Sequence, residues 1–548
     1  MPHPQEPEFQ PFSETLKPVD TRGTKYSVFT YWSKKPENIV KQYIKHYTRK
    51  NEVTLDPFSG GGVTAIESLI LKRKAIAFDI NPIAIYFARM LAISPVDLTK
   101  FANIAEKIID SSLDLAEELY TTKCRLCGRN VQIRSVLYDK STPKQVNYAC
   151  HCRNRLQRAP PTSHDVERGK VIPDSSLYAK RGATRLLRNP RKQITVQNSL
   201  NYFTGRNLIA MERLWTSIQE LPESTEKKLV EFAFLAKLRL MAKDYFRSTS
   251  SAASFLWIPE KNWIERNVFF RFTQSLRQIQ KKKELTNKDI SSFYREAENP
   301  QEVLDSDKTV FLGVYDAKTL SDILPRNSID FILTDPPYAD QALYLEYSML
   351  WQPWFSFNPK FESEIVVTDS PERPSKKRHS SGAFGRGEAQ YIYDLEVAFK
   401  AMKTVLRKNR WLAVWFRCRN DLIWEGFVHA IRKAGLEKTS VVRQPVDSST
   451  WNRGINPDGT LNEYLILSYR KTENPQTASS PPENDAFFLE LEMIRETETR
   501  KGKNEPKEIW SAAIAHFLSK YDSLPSSLTY SQINSILKKS TDWKKRGD

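Results

Sequence analysis

Asp56-Pro57-Phe58-Ser59-Gly60-Gly61-Gly62 and Thr334-Asp335-Pro336-Pro337-Tyr338 lie in opposite halves of the chain, and reading them together decides the fold. The first follows a short apolar run (Val53, Leu55) and opens a helical pattern, so it predicts a strand, a glycine turn and a helix N-terminus. Glycines there let backbone N–H groups approach a nucleotide-like ligand. The second string ends another apolar run (Ile329, Phe331, Ile332, Leu333) and offers a carboxylate, two rigid prolines and an aromatic ring. Consecutive prolines fix φ, so the carbonyl of Pro336 is aimed in advance beside the carboxylate of Asp335.

Working outward from the first string, Val53–Asp56 and Ala75–Asp79 read as strands, and Thr64–Lys72 and Pro82–Leu91 as helices. From about 308 the same texture returns, with strands expected at Val310–Leu312, Phe331–Thr334, Trp411–Phe416 and Tyr464–Ser468 and helices at 391–406 and 424–434. Between these halves the pattern breaks. Residues 120–165 hold cysteines, basic residues and prolines, and 205–250 are helical in texture. Residues 371–390 read as a basic loop, and 472–485 as a Pro/Ser/Asn-rich linker. A stripe of Ile509, Trp510, Ala513, Ile514, Phe517 and Leu518 predicts a small helical domain over 486–548.

The 548 residues carry 83 Lys and Arg against 65 Asp and Glu, a net charge of +18, which points to a polyanionic partner. No run of about 18 apolar residues is present, and the first residues lack a charged-then-apolar leader pattern. The expectation is a cytoplasmic protein facing nucleic acid, with no membrane partner. Candidate phosphate contacts are the Arg/Lys groups at 179–192, 281–283 and 373–378. Four of the five cysteines fall within Cys124-x-x-Cys127 and Cys150-His151-Cys152. Soft thiolates at this density suit a tetrahedral structural zinc rather than a disulfide framework, with His151 able to replace one thiol.

The glycine string alone also fits the dinucleotide pattern G-x-G-x-x-G/A, since Ala65 follows Gly62 at the right distance. Asp56-Pro57-Phe58 ahead of the glycines tips the balance. Together with Asp335-Pro336-Pro337-Tyr338 it resembles the FxGxG and DPPY motifs of the S-adenosylmethionine-dependent DNA amino-methyltransferases. Tyr31-Trp32-Ser33-Lys34-Lys35-Pro36-Glu37-Asn38-Ile39 resembles that family's preceding K-P element. The cysteine segment, Phe203–Ile209 and Asn267–Phe272 are similar to a prokaryotic adenine-specific group with a zinc-ribbon insert, and the resemblance covers roughly 24–471.

The resemblance implies a Rossmann-like α/β core split by a zinc-binding, largely helical insert. Its parts would be a cofactor half (24–119), a zinc ribbon (120–165), a helical target-recognition insert (166–305) and a catalytic half (306–471). It implies methyl transfer from S-adenosylmethionine to N6 of a flipped-out adenine in double-stranded DNA. Lys35, Asp56, Phe58, Gly60 and Gly62 would meet the methionine end of the cofactor, Asp79 the ribose and Asp316 the adenine. Asp335, Pro336, Pro337 and Tyr338 would form the catalytic group, and Cys124, Cys127, Cys150 and Cys152 the zinc site.

Alternatives of the same or another class are N4-cytosine methylation, RNA base methylation and a non-catalytic nucleic-acid-binding subunit. A 5-methylcytosine enzyme needs a cysteine nucleophile, and Cys418 in Phe416-Arg417-Cys418-Arg419 lacks the Pro-Cys context, so it reads as structural. The C-terminal domain is a candidate surface for protein partners. Restriction–modification or phage defence rests on family analogy.

Overall fold

The computed structural model describes residues 9–20, 24–29, 34–181, 187–189, 194–196, 199–247, 250–252, 261–339, 342–367, 387–446, 461–475 and 480–535. Helix α1 (Glu37–Tyr47) starts at Pro36, whose fixed φ suits an N-terminus, and buries Ile39, Val40, Tyr43, Ile44 and Tyr47 along one face. Strand β1 (Val53–Asp56) is buried at all four positions. Gly62 then turns the chain with φ 76° into α2 (Val63–Ile70). Strand β2 (Lys74–Asp79) follows, and α3 (Pro82–Ala92) begins with Asn81 accepting from the N–H of Ile83 and Pro82 in the first turn.

Next comes the insert. Strands β3 (Thr121–Lys123), β4 (Asn130–Asp139), β5 (Thr142–Cys150) and β6 (Arg153–Ala159) form an antiparallel array. Strands β7 (Leu187–Asn189) and β8 (Ile194–Val196) make a separate ribbon. Helices follow at Gly205–Gln219 and Thr225–Leu235, then β9 (Asp244–Arg247), β10 (Ser250–Ala252) and β11 (Trp263–Arg266). These last strands join the first array through β11 against β4, giving the order β10-β9-β11-β4-β5-β6 with β3 on β4. One sheet therefore crosses the expected boundary at 165/166, and the insert is mixed rather than largely helical. Its long helix Val268–Ile290 packs back on the helices of the cofactor half.

The catalytic half supplies β12 (Val310–Val314), β13 (Ile329–Thr334), β14 (Leu406–Phe416), β15 (Glu437–Pro445) and β16 (Glu463–Arg470). The second sheet runs β12-β2-β1-β13-β14-β16-β15, parallel as far as β14, with β16 antiparallel to both β14 and β15. Strand order reverses between β1 and β13, and open α/β sheets bind ligands outside the carboxyl ends of their strands at such a point. A mixed sheet of this kind is consistent with a methyltransferase-like fold. The helix expected at 391–406 begins earlier, at Glu388, inside the stretch expected as loop; 371–386 lie outside the described residues.

The C-terminal helix Pro506–Lys520 packs on β15 and β16, and helix Asn484–Arg500 packs against it. Trp510 is buried and donates its Nε1–H to the carbonyl of Cys418 at 2.9 Å. Arg443 on β15 grips both oxygens of Glu498 at 2.9 Å. The segment expected as a separate helical domain is thus docked on the sheet, with its buried side chains continuous with the main core. Cys418 is buried, as a structural residue should be. Among the described residues no helix is long and apolar enough to cross a membrane.

Candidate active site

The two decisive strings meet. Leu55 of β1 pairs in register with Ile332 of β13, so Asp56 and Thr334 end neighbouring strands, and the Thr334 hydroxyl donates to Asp56 Oδ1 at 2.9 Å. Asp56, Asp79, Val314, Thr334 and Phe416 are the last residues of five adjacent strands. The loops after the strands ending at Asp56, Asp79, Val314 and Thr334, with Trp415 of β14, surround a cleft of about 920 Å³ including its open mouth. Of the sequence candidates, Lys35, Asp56, Phe58, Gly60, Asp79, Asp316, Asp335 and Pro337 line it.

Backbone geometry in the glycine loop explains its composition. Gly60 (φ 48°) and Gly62 (φ 76°) sit in the left-handed region, and a Cβ on Gly62 would stand 2.6 Å from Ala88 Cβ of α3. The loop is tied to β2: Gly60 N–H donates to Asp79 Oδ2 at 2.8 Å, and Ser59 N–H to the Phe78 carbonyl at 2.9 Å. Asp79 Oδ1 accepts from Asn81 N–H at 2.8 Å. Burial pushes the Asp79 carboxyl up to about 6 despite those two amides. Asp56 is pushed up to about 7 by burial, against hydrogen bonds from Thr64, Thr334 and the Phe58 amide. The Ser59 hydroxyl is buried at the cleft with no hydrogen-bond partner among the described residues. A glycine cradle, a lone buried hydroxyl and carboxylates with remaining acceptor capacity fit a nucleoside bearing an amino-acid group.

At the opposite wall, Asp335 receives Lys35 Nζ on Oδ2 and the Tyr338 hydroxyl on Oδ1. Burial raises the Asp335 carboxyl, and Lys35, Tyr338 and Arg417 oppose the rise. The Lys35 ammonium lies 4.5 Å from the Tyr464 ring centroid, 5.3 Å from Tyr338 and 5.7 Å from Trp415. Tyr338 is only 3% exposed and packs edge-on to Phe416 with centroids 5.5 Å apart. Its hydroxyl thus buttresses Asp335. The Pro337 carbonyl is taken by the Tyr391 hydroxyl at 2.6 Å, whereas that of Pro336 accepts no hydrogen bond among the described residues. Asp316 caps the turn Ala317–Thr319 and faces Lys318 Nζ at 3.4 Å.

Sequence reasoning missed Glu364. It is buried, lines the cleft and accepts the N–H of Leu345 at 3.0 Å, and burial pushes it up to about 8. A carboxyl in an irregular segment has no periodicity to betray it. Lys34 was also missed. Its ammonium is spent on the carbonyls of Tyr26 and Phe29, both at 2.6 Å, and burial holds its pKa well down. Residues 31–33 of the K-P segment lie outside the described residues.

The cysteine pairs also converge. The four sulfur atoms lie within 4.8 Å of one another, with Cys124–Cys152 at 3.6 Å and Cys127–Cys150 at 3.5 Å. Tetrahedral zinc with about 2.3 Å bonds places its sulfurs roughly 3.8 Å apart, so this donor set fits the ion. His151 is exposed and is not one of the converging groups. Burial raises Cys124, but the amides of Cys127 and Leu126 and the neighbouring thiols outweigh it and bring the thiol down to about 6.

The expected phosphate contacts fare differently. Lys283 is buried, donating to the carbonyls of Leu91 at 2.8 Å and Ile93 at 2.7 Å, so it holds α3 in place and cannot reach DNA. Only one side of a helix can face solvent, and in Lys281-Lys282-Lys283 the third residue turns inward. Lys180 pairs with Glu212 at 3.0 Å. The side chains of 181–192 and all of 373–378 lie outside the described residues.

Comparison with curated proteins returns no match. The family model for DNA methylases, N6_N4_Mtase, matches residues 6–89, the stretch holding Lys35, the glycine loop and Asp79. That match makes this N-terminal stretch similar to DNA methylases of the N6-adenine or N4-cytosine type.

Proposed function

We propose that the protein transfers a methyl group from S-adenosylmethionine to N6 of adenine in double-stranded DNA. The observation that carries this reading is that Asp335 and Pro337 line one cleft together with Gly60, Gly61 and Asp79. The cofactor, when bound, supplies a methyl group activated on a sulfonium. The glycine loop, Asp56 and Phe58 would hold its methionine end, Asp79 its ribose and Asp316 its adenine.

An exocyclic amine is a poor nucleophile because its lone pair is delocalised into the ring. Asp335 and the Pro336 carbonyl can each accept one N–H of that amine, favouring a pyramidal nitrogen and stabilising the positive charge that develops there. Each Asp335 oxygen carries one protein donor, Lys35 on Oδ2 and Tyr338 on Oδ1, and keeps a second lone pair for an N–H of the amine. Lys35 and Tyr338 would keep the carboxylate oriented while it accepts. Proximity of the two substrates supplies much of the remaining acceleration.

Cys124, Cys127, Cys150 and Cys152 would hold a structural zinc that orders the tip of the insert. The site of action would be the cytoplasm, in restriction–modification or phage defence, with the docked C-terminal helices open to protein partners. The test is nucleoside mass spectrometry after incubating duplex DNA with purified protein and isotope-labelled S-adenosylmethionine. Labelled N6-methyladenine, abolished by Asp335→Ala, is expected. N4-methylcytosine would change the base, and label in RNA alone or nowhere would overturn the proposal.

A further inference from the structure

The net charge of +18 is unevenly spread: between 121 and 165 there are nine Lys and Arg side chains against two acidic ones. One acid, Asp165, is buried and already paired with Arg125 at 3.0 Å. The other, Asp139, is partly buried at the far end of β4. Elsewhere many exposed basic groups are matched, Lys400 and Lys433 by Glu396 and Arg407 by Asp330. Arg129, Arg153, Arg155 and Arg158 are exposed and have no acidic partner among the described residues.

These four belong to one end and one edge of the insert sheet. Arg129 follows the knuckle at Gly128, Arg153 directly follows Cys152, and Arg155 and Arg158 continue along β6, the terminal strand. Leu156 and Arg158 share the exposed face of β6, opposite the buried Gln157 and Ala159, and the ladder is irregular between Leu156 and Arg153, which carries Arg153 and Arg155 at the knuckle end of the same edge. Leu126 in the knuckle is 62% exposed and Leu156 on β6 is 53% exposed, apolar side chains set among the charges. The platform is rigid. The four thiols converge beneath it, the Arg125 N–H bonds the Tyr148 hydroxyl at 3.0 Å, and Tyr148 is buried. A concentration of unmatched positive charge on a pre-ordered edge matches the phosphates of a duplex.

We propose that this edge, Arg129, Arg153, Arg155 and Arg158 with Leu126 and Leu156, is the surface by which the protein grips duplex DNA. The inference rests on the DNA methyltransferase reading and adds where the duplex is held. Arginines donate to phosphate oxygens, and the exposed leucines contact sugar and base edges in a groove.

The test is fluorescence anisotropy of a labelled mixed-sequence 30-base-pair duplex against the full chain over a salt series. Each lost phosphate contact lowers the slope of log K against log salt by about 0.9, so Arg153→Ala/Arg155→Ala/Arg158→Ala should lower it by about 2.7. Affinity near 0.1 M salt should fall by about a hundredfold or more on the same basis. The corresponding Arg→Lys triple variant should keep most of the slope, and binding of S-adenosylmethionine should be unchanged in both. Should the triple alanine variant misfold, the single Arg→Gln variants each carry one step of about 0.9. A slope equal to wild type in the folded variants overturns the proposal, since the arginines would then merely guard an open strand edge. If wild type binds and methylates DNA but the slope ignores these arginines, the surface is wrong and the activity stands. If wild type binds no DNA, the reading beneath both falls.

Discussion

Replacing Asp335 with alanine does two separable things. It removes an acceptor for the target amine, and it strands the Lys35 ammonium, whose side chain is only 6% exposed while that of Asp335 is 19% exposed. Breaking a buried pair from one side costs about 3–5 kcal/mol, and the partial exposure of Asp335 places this one near 3 kcal/mol. Lys35 can shed its proton or lean on the rings of Tyr464, Tyr338 and Trp415, which caps the loss. Adding Lys35→Met removes the stranded charge and leaves an apolar side chain in an aromatic cage. Asp335→Ala should therefore unfold in urea with about 3 kcal/mol less stability, and Lys35→Met/Asp335→Ala should regain about 2 kcal/mol of it. Methyl transfer should fall by about 10²–10³ or more in both, since loss of one preorganised charge-stabilising partner has that scale. Equilibrium urea melts and a radiolabel transfer assay on the four corners of the cycle measure both. Strict additivity in stability, or activity returning along with stability in the double variant, would refute the assignment of Asp335.

Gly62→Ala forces a side chain into φ 76° with its Cβ 2.6 Å from that of Ala88, so a loss of about 2–4 kcal/mol is expected by thermal or urea unfolding, with binding of S-adenosylmethionine lost. Desolvation raises the partly buried Asp79 carboxyl from 3.8 to about 6, so the folded form holds its proton more tightly than the unfolded one. Stability from this group is present below about pH 4 and is lost as pH rises through 6, amounting to about 3 kcal/mol. Asp79→Asn should flatten stability against pH across that window in denaturant titrations of the unliganded protein, and an unchanged pH slope would contradict it. Metal analysis of the purified protein should return about one zinc per chain. Cys127→Ser should reduce that content and destabilise the insert by proteolysis, while binding of S-adenosylmethionine persists.

The cofactor half was legible because its signals are local and redundant. A short apolar run, a glycine turn that only glycine's φ permits and a Pro82 helix start all agree, and β1, α2, β2 and α3 follow within two residues of expectation. The meeting of Asp56 with Thr334 was legible only through the paired motifs, because nothing local in either string specifies a partner so distant in sequence. Strand β15 was not foreseen: Glu-Lys-Thr-Ser-Val-Val-Arg-Gln-Pro is mostly partly exposed, so its polar alternation reads as loop. The insert sheet was hidden for a related reason. Its strands are rich in Arg, Gln and Lys, and sulfur convergence at one end substitutes for the apolar run that marks a buried strand. Lys283 was misread because a run of three like charges suggests a solvated face, while helix geometry turns one of the three inward onto the carbonyls of Leu91 and Ile93.

The insert's position in the topology explains how so large an excursion leaves the site intact. The chain departs after α3 and returns at β12, and β12 pairs with β2 at the end of the sheet, away from the β1–β13 junction. The junction itself is clamped on both sides of the excursion. Val53 N–H donates to Asp330 Oδ2 at 2.8 Å at the entry of the strands, and Thr334 donates to Asp56 at their exit. Asn81 at the head of α3 donates to the Ser348 hydroxyl at 2.6 Å, tying the segment after Tyr338 to the cofactor half. All three are buried polar contacts, so losing any one leaves an unpaired group that costs about 1–3 kcal/mol. The catalytic and cofactor strings are thus held in register by bonds that do not involve the insert, which leaves its basic outer edge free to be shaped by the partner it contacts.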